Sequence, residues 1–289
     1  MIFEIIKIGS QPINFAYPIP LLSLLAFMLS GSGYNELIIS YIFAFSFFTA
    51  ANLWNHLNDA EDDLNAGRNY ARFLIEHRKI VTEFVVAFYF VSFLLIFFIS
   101  KSKEIALLLT GLSVVLTWLY SDKIFIGKII RRFKEDYKTE VFTYILCSFS
   151  FPLSFWTIFS EISQVGVVFT LATGFTYLSG FFLKDLKDIS ADIKSGYRTL
   201  AVVLSPSTLL IISVMLFIAS TFVVIFSSLL DVTPTSSLLV LTVYPPILFA
   251  IYKFHKEKWK ITKNIISSLK IYTYSYLGFL IAFAIGCKL

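Results

Sequence analysis

Acidic side chains at helical spacing occur in two stretches of this 289-residue chain. In "NHLNDAEDDLN", Asn55, Asp59 and Asp63 are each four residues apart, and in "KDLKDISADIK", Asp188 and Asp192 repeat that interval. Residues four apart on an α-helix share one face, where like charges repel and favour a bound cation. Hard carboxylate oxygens suit Mg²⁺, which takes one or two carboxylates together with substrate phosphates. The spacing therefore predicts two carboxylate pairs that hold a Mg²⁺–diphosphate between them, with Asp59, Asp63, Asp188 and Asp192 as the metal ligands.

One other interpretation of these acids stays open at this point, namely that each acidic stretch is an ordinary solvated loop. On an ideal helix Glu61 and Asp62 point away from the Asp59 face, so these two acids are expected to be solvated. The basic residues that could neutralise the remaining phosphate charge are Arg68, Arg72, Lys123 and Arg198.

The elements that carry these acids belong to a membrane protein. The chain is 57% hydrophobic and only 15% charged, whereas soluble domains carry about 25% charged residues. Crossing a bilayer takes about 20 apolar residues, and lipid forces such segments to be helical. We therefore predict an all-α, polytopic protein that forms a single domain over residues 1–289. Its nine predicted transmembrane helices lie at roughly 13–31, 36–54, 80–100, 104–121, 139–160, 162–183, 206–229, 235–253 and 265–286.

The basic residues predict the orientation of these spans. With the N-terminus in the cytoplasm, nearly all lysines and arginines fall in cytoplasmic segments, and only Lys101, Lys103 and Lys288 fall outside. Both acidic motifs, at 55–72 and 184–200, then follow a span on the cytoplasmic side. Because membrane topology accounts for the net charge of +5, no nucleic-acid partner is needed.

Aromatic residues one or more turns before the motifs are candidates to line a cavity for an apolar substrate. They are Phe48 before Asn55, and Tyr177 and Phe181 before Asp188. The alternative for each is a lipid-facing or helix-packing role. Gly174 and Gly180 either leave room or permit close helix packing. Tyr120 and Lys123 end the fourth span on the active side, where Lys123 is either a phosphate ligand or a topological anchor. The charged segment 128–140 is either an interfacial helix or a lid over the site.

These two motifs resemble those of the UbiA superfamily of intramembrane prenyltransferases. The pattern N-x-x-x-D-x-x-x-D followed by arginines matches Asn55, Asp59, Asp63, Arg68 and Arg72. The pattern D-x-x-x-D-x-x-x-G followed by Thr-Leu matches Asp188, Asp192, Gly196, Thr199 and Leu200, and Lys184 and Asp185 precede it as they do in the family. The resemblance implies nine helices around a central cavity. It also implies catalytic roles for Asn55, Asp59, Asp63, Asp188 and Asp192. The flanking residues Arg68, Arg72, Lys184 and Asp185 are then expected to bind the substrate.

The resemblance further implies a Mg²⁺-dependent transfer of a polyprenyl group from an allylic prenyl diphosphate to a lipid-soluble acceptor within the membrane. The chain departs from the family pattern at Phe73, where many members have a Pro-containing turn. This departure keeps a second hypothesis, a terpene cyclase in which the allylic cation attacks its own chain. A third hypothesis, a cation transporter, is less favoured because the acids lie at one membrane edge and not at its midplane.

Overall fold

The protein is all-helical throughout the residues that its structure, a computed structural model, describes. These residues are 1–11, 19–184, 186, 189–260 and 262–289, with the side chains of Ser190, Ala191, Lys263 and Asn264 left aside. The helices are α1 (Ile2–Gly9), α2 (Ile19–Ser30), α3 (Tyr34–Asn65), α4 (Tyr70–Glu76), α5 (Arg78–Ile99), α6 (Lys103–Ser121), α7 (Tyr137–Trp156), α8 (Gln164–Lys184), α9 (Ile189–Lys194), α10 (Leu200–Val203), α11 (Pro206–Leu229), α12 (Tyr244–Lys256) and α13 (Lys263–Gly286). Short 3₁₀ helices occupy Ile126–Lys128, Phe133–Glu135 and Thr235–Val243.

Seven of these helical segments are long and apolar enough to cross a bilayer. They are α3, α5, α6, α8, α11, the continuous Thr235–Lys256 segment and Ile265–Gly286. The predicted spans 13–31 and 139–160 correspond to two further helices. Of these, α2 has 12 residues, and α7 carries many hydroxyl side chains along its 20 residues. The prediction of a multi-pass helical membrane protein is thus confirmed, with seven of the nine predicted spans meeting this criterion.

Helix α3 is longer than the span predicted for it. It continues past residue 54 to Asn65, so the whole first acidic motif lies on a regular helix. A helix places Asn55, Asp59 and Asp63 one above another on one face. Gly67 then takes a positive φ of 78°, a conformation that glycine adopts without strain. The chain reverses there, and the Arg68 amide donates back to the Asp63 carbonyl at 2.9 Å.

The helices pack in a closed sequence around the middle of the molecule. Helix α3 contacts α6, α6 contacts α7, α7 contacts α8, and α8 contacts α11. The sequence continues through the 3₁₀ helix Thr235–Val243 to α13, and then through α2 back to α3. This arrangement brings the C-terminal ends of α3, α6 and α8 and the N-terminal end of α7 around one cavity, described below.

Buried hydroxyl groups join the helices of this ring. Between α6 and α7, Thr110 bonds Ser154 at 2.6 Å and Ser113 bonds Ser150 at 2.7 Å. On the other side, the Tyr276 hydroxyl of α13 lies 2.5 Å from Ser179 Oγ of α8 and 3.1 Å from Ser213 Oγ of α11. Hydrogen bonds of this kind associate helices where lipid provides no hydrophobic drive.

Of the two glycines expected to tune helix packing, Gly174 is the one that permits close approach. A Cβ atom at Gly174 would lie 2.5 Å from the Phe149 ring and 2.8 Å from the Ser148 carbonyl oxygen, both on α7. At Gly180 the corresponding atom would meet only the Tyr276 ring, at 3.7 Å, which is an ordinary contact. Helix α8 therefore packs tightly on α7 at Gly174 and leaves room at Gly180.

Candidate active site

A cavity of about 740 Å³ brings the two acidic motifs together. Helix α3 lines it from Phe47 to Ala66. At 1.5 Å per residue, Phe47 and Asp63 are about 24 Å apart along the helix axis. The cavity is therefore long enough to hold a charged head at the acidic end and an apolar chain beside the phenylalanines.

Asp59 lies at the centre of a network of charges at the acidic end. Lys134 Nζ lies 2.5 Å from its Oδ2 atom and Arg132 Nη1 lies 2.7 Å from its Oδ1 atom. Lys134 also donates to Asn55 Oδ1 at 3.0 Å, and Ser121 donates to the same oxygen at 2.9 Å. The predicted residues Asn55 and Asp59 are thus held together by cations from a segment more than 70 residues away in sequence.

Arg132 connects the first motif to the loop of the second. Its side chain, in a residue only 3% exposed, donates to Glu135 at 2.5 Å and to the Tyr197 hydroxyl at 2.7 Å as well as to Asp59. Burial acts to lower the pKa of Arg132, but the hydrogen bond to Glu135 and the charge of Asp59 outweigh it, and the pKa is raised. Arg132 therefore keeps its charge.

For Lys134, in contrast, burial outweighs the neighbouring negative charge, and the pKa of its ammonium group is lowered. Burial lowers the pKa of Lys134 below its usual value, the charge of Asp59 opposes that change, and the charge of Arg132 adds to it. The proton on Lys134 therefore depends on its anionic partner more than the proton on an ordinary surface lysine does.

Asp63, one turn further along α3, has partners of its own. Arg68 Nη1 lies 3.0 Å from its Oδ1 atom, and the Tyr70 hydroxyl donates to its Oδ2 atom at 2.6 Å. Burial and the hydrogen bond to Asp63 raise the pKa of Tyr70, so Tyr70 remains a neutral donor. The reversal at Gly67 is what returns Arg68 to Asp63.

The second motif reaches the same cavity through Asp192, which lines it together with Ser195, Tyr197 and Thr199. The Thr199 hydroxyl donates to Asp192 Oδ2 at 2.9 Å. The predicted residues Asp185 and Asp188 lie outside the described part of the chain.

The other predicted substrate-binding residues divide into two groups. Those that line the cavity are Phe48, Arg68, Tyr120, Tyr177, Phe181 and Lys184. Three others are exposed and are absent from its lining. Lys123 pairs with Asp62 at 3.3 Å, Arg72 lies on α4, and the guanidinium of Arg198 lies 5.9 Å from the centre of the Tyr137 ring.

Several cavity residues were not expected from the sequence. Arg132 and Lys134 belong to the segment 128–140, for which an interfacial helix and a lid were both open. The structure favours the lid, because residues 128–136 form loop and short 3₁₀ turns and no α-helix, and Arg132 and Lys134 contact Asn55 and Asp59. Its mixture of basic and acidic residues was the available signal. Glu140 ends the same charged segment. Tyr144 and Tyr197 had no such signal, since the chain holds 15 tyrosines.

An aromatic box, formed by the rings of Tyr120, Tyr144 and Phe181, lies beside the acidic end of the cavity. Lys184 Nζ is 4.7 Å from the ring centroids of both Tyr120 and Tyr144, and 5.8 Å from that of Phe181. Ring faces at these distances attract a cation through their quadrupoles. The cavity wall can therefore stabilise positive charge at this place.

The oxygen donors around the cavity fit Mg²⁺. Asn55, Asp59, Asp63 and Asp192 present hard oxygens, the donor type that Mg²⁺ prefers. Among the residues the structure describes, no three His, Cys, Asp or Glu side chains gather closely enough to form a metal cage by themselves. Mg²⁺ commonly takes only one or two carboxylates and completes its octahedron with water and phosphate oxygens. The donor set thus fits a metal that arrives with a diphosphate.

Comparison with solved structures shows the same fold in other proteins. A digeranylgeranylglyceryl phosphate synthase superposes with a TM-score of 0.70 at 14% identity, covering 99% of this chain and 97% of the other. A UbiA homologue from Aeropyrum pernix K1 gives 0.63 at 14% identity, covering 96% and 98%. A UbiA homologue from Archaeoglobus fulgidus, bound to GPP and Mg²⁺, gives 0.56 at 15% identity, covering 94% and 98%.

The sequence also matches a family model, that of the UbiA prenyltransferase family, over residues 19–275. This match covers most of the chain and confirms the resemblance found in the two acidic motifs. The protein is therefore a multi-pass membrane protein that belongs to the UbiA prenyltransferase family.

Proposed function

We propose that this protein transfers a polyprenyl group from an allylic prenyl diphosphate to a hydrophobic acceptor in a Mg²⁺-dependent reaction. One observation carries the proposal: Asp59, Asp63 and Asp192 line the same cavity as Arg68, Arg132, Lys134 and Lys184. Acidic and basic groups in one cavity suit a ligand that is itself anionic and brings a divalent metal. The solved homologue bound to GPP and Mg²⁺ supports the same class of donor.

The acids and the cations have separate tasks in this proposal. Asp59, Asp63 and Asp192, together with Asp188, would hold Mg²⁺, which when bound supplies positive charge to the departing diphosphate. Arg68 and Lys184 donate to the remaining phosphate oxygens, since charge-assisted hydrogen bonds are the strong ones. Preorganised donors of this kind stabilise the charge that develops as the allylic C–O bond breaks.

The apolar wall accepts the isoprenoid chain. Phe48, Phe151, Tyr177 and Phe181 line the cavity, and the rings of Phe48 and Phe151 are in contact, with centroids 4.9 Å apart. Such a wall excludes water from a reactive carbocation. The rings of Phe48 and Phe151 offer it π-faces.

The acceptor in this proposal is a lipid-soluble molecule, because the cavity lies among membrane-spanning helices. We propose nine spans, because α2 and α7 correspond to the two remaining apolar segments. We place the N-terminus and the active site on the cytoplasmic side, because the basic residues follow the positive-inside rule. Membrane lipid is then the surrounding partner, and no nucleic acid is involved.

The test is prenyl transfer by the purified protein in lipid nanodiscs. Geranylgeranyl diphosphate and Mg²⁺ are supplied with a lipid extract, and the prenylated product is identified by mass spectrometry. Asp59→Asn and Asp188→Asn should each abolish transfer in folded protein, as should removal of Mg²⁺ with a chelator. Glu61→Gln is the matched control, because Glu61 lies on the same helix but is 62% exposed at its side chain and pairs with Arg78.

Full activity in both aspartate variants would contradict the assignment of the site. Incubation with the donor alone tests the alternative chemistry. A cyclic hydrocarbon formed without any acceptor would identify a terpene cyclase, whereas an inert donor agrees with transfer.

A further inference from the structure

A chain of hydrogen bonds runs along one wall of the cavity and ends at a buried carboxylate. Lys184 Nζ donates to the Tyr120 hydroxyl at 2.7 Å, and the Tyr120 and Tyr144 hydroxyl oxygens are 3.0 Å apart. The Tyr144 hydroxyl then donates to Glu140 Oε1 at 2.7 Å. All four side chains line the cavity, although they come from α6, α7 and α8.

Lys184 and Glu140, at the two ends, set the donor-to-acceptor direction of this chain of hydrogen bonds. An ammonium can only donate and a carboxylate can only accept, while each phenol has a single proton. Since the Tyr144 proton points to Glu140, Tyr144 accepts from Tyr120, and Tyr120 accepts from Lys184. Every proton in the chain therefore points toward Glu140.

Burial makes Glu140 an unusual member of the site. Its residue is 1% exposed, and Tyr144 is 3% exposed. The other carboxylate oxygen, Oε2, accepts the Leu200 amide at 2.7 Å. Its two oxygens accept from the Tyr144 hydroxyl and from the Leu200 amide, so this carboxylate lies at the end of the hydrogen-bond chain and beside the second motif. A buried carboxylate is costly, and the anchoring of Leu200 uses only one of its two oxygens.

The proposed reaction needs a group that removes a proton. When an acceptor X–H attacks the allylic carbon, an X–C bond forms and the C–O bond breaks, with its electron pair leaving on the diphosphate. The proton of X–H must then leave as well. Cyclisation of the donor would release a proton in the same way, from a C–H bond.

We propose that Tyr120 and Tyr144 relay the acceptor's proton to Glu140. The proton of X–H passes to the Tyr120 oxygen, the Tyr120 proton passes to the Tyr144 oxygen, and the Tyr144 proton passes to Glu140 Oε1. Both tyrosines are neutral again afterwards, and Glu140 carries the proton until it returns through Tyr144 to Tyr120 and leaves to water that enters the cavity after the product departs. This inference rests on the proposed function and assigns an acceptor class, a nucleophile that is protonated before attack.

The decisive variant is Tyr144→Phe. It removes one hydroxyl from the relay, leaves the Glu140–Leu200 hydrogen bond in place, and keeps the ring that stacks on Phe181 at a centroid distance of 4.8 Å. We expect transfer to slow by about 100-fold, as for the loss of general base catalysis, and to recover as the pH is raised and hydroxide replaces the relay. Binding of geranylgeranyl diphosphate with Mg²⁺ should be unchanged.

Glu140→Gln is the second variant, since it keeps an acceptor oxygen but cannot take up the proton, and it should show the same slow, alkaline-dependent transfer. Tyr89→Phe is the control. It also removes a buried phenol, one bonded to Thr117 at 2.9 Å, but it lies outside the relay, so the rate and pH profile should match those of the unaltered protein.

The two proposals can fail separately. If the unaltered protein transfers no prenyl group from any donor, the proposed function is wrong. If it does, and both Tyr144→Phe and Glu140→Gln keep its rate and pH profile, the relay is wrong. Loss of donor binding in parallel with transfer would also overturn the relay, since it would indicate that Glu140 and Tyr144 only hold the site together.

Discussion

Lys134 Nζ lies 2.5 Å from Asp59 Oδ2, so a lysine of the segment 128–140 occupies one of the two oxygens of the central aspartate in the first motif. Arg132 occupies the other. A divalent cation on Asp59 would compete with both ion pairs. In the proposed function Lys134 therefore exchanges partners, from Asp59 to the diphosphate that arrives with the metal.

Replacing Lys134 by Gln should weaken donor binding. A charge-assisted hydrogen bond is worth roughly 1.5–3 kcal/mol, so we expect the Kd for geranylgeranyl diphosphate at saturating Mg²⁺ to rise about tenfold or more. Isothermal titration calorimetry in detergent micelles measures it. The matched control is Lys138→Gln, on the same segment, whose side chain is exposed and lies over the Tyr137 ring. Equal Kd values in both variants would show that Lys134 does not reach the donor.

Arg68 and Arg72 follow the first motif in sequence, but the structure separates them. Arg68 lines the cavity and pairs with Asp63 at 3.0 Å, whereas Arg72 lies on α4 and is not among the residues that line the cavity. We expect Arg68→Gln to lower kcat/KM for the donor by about 10- to 100-fold, from the loss of one charge-assisted bond, and Arg72→Gln to change it little. Steady-state kinetics on the two variants decide the point. A larger loss at Arg72 would contradict the described geometry of the loop.

The buried hydroxyl of Tyr276 should contribute to stability. It bonds Ser179 and Ser213 on two other helices, and hydrogen bonds between membrane helices are worth about 0.6 kcal/mol on average, with a maximum near 1.7. Tyr276→Phe is therefore expected to lower the free energy of unfolding in mixed micelles by about 1 kcal/mol. Tyr274 is 65% exposed on the same helix, so Tyr274→Phe should leave the unfolding curve in place. If the unfolding curves of the two variants coincide, the hydrogen bonds of Tyr276 do not stabilise the protein.

Adding a methyl group at Gly174 should also destabilise the protein. The new Cβ would lie 2.8 Å from the Ser148 backbone oxygen, so α7 and α8 would have to move apart, and overpacking of this kind costs about 1–3 kcal/mol. Gly180→Ala is the control on the same helix, since its nearest contact would be 3.7 Å away. Thermal unfolding should give a lower Tm for Gly174→Ala and an unchanged or higher Tm for Gly180→Ala, because alanine is the better helix former. The reverse order would mean that α8 does not pack on α7 as described.

Local pattern was enough to predict the helical membrane architecture and half of the site. Long apolar segments must become helices in lipid, and a period of four must place Asn55, Asp59 and Asp63 on one face. Both arguments use only neighbours along the chain, and the structure agrees with both. The same reasoning located the cavity residues Phe48, Tyr177 and Phe181, because they stand whole turns before the motifs.

The tertiary structure decided which side chains from distant parts of the sequence contact these helix faces. Arg132 and Lys134 are far from Asp59 in the chain, and a charged loop has the same composition whether it lies on lipid or on an active site. Arg68 and Arg72 have the same chemistry, and only the reversal at Gly67 selects one of them. Glu140 and Tyr144 are one turn apart on α7, but Tyr120 and Lys184 come from two other helices, and no sequence period relates the three helices. Their hydrogen bonds exist because those helices pack side by side, and packing is a property of the whole chain.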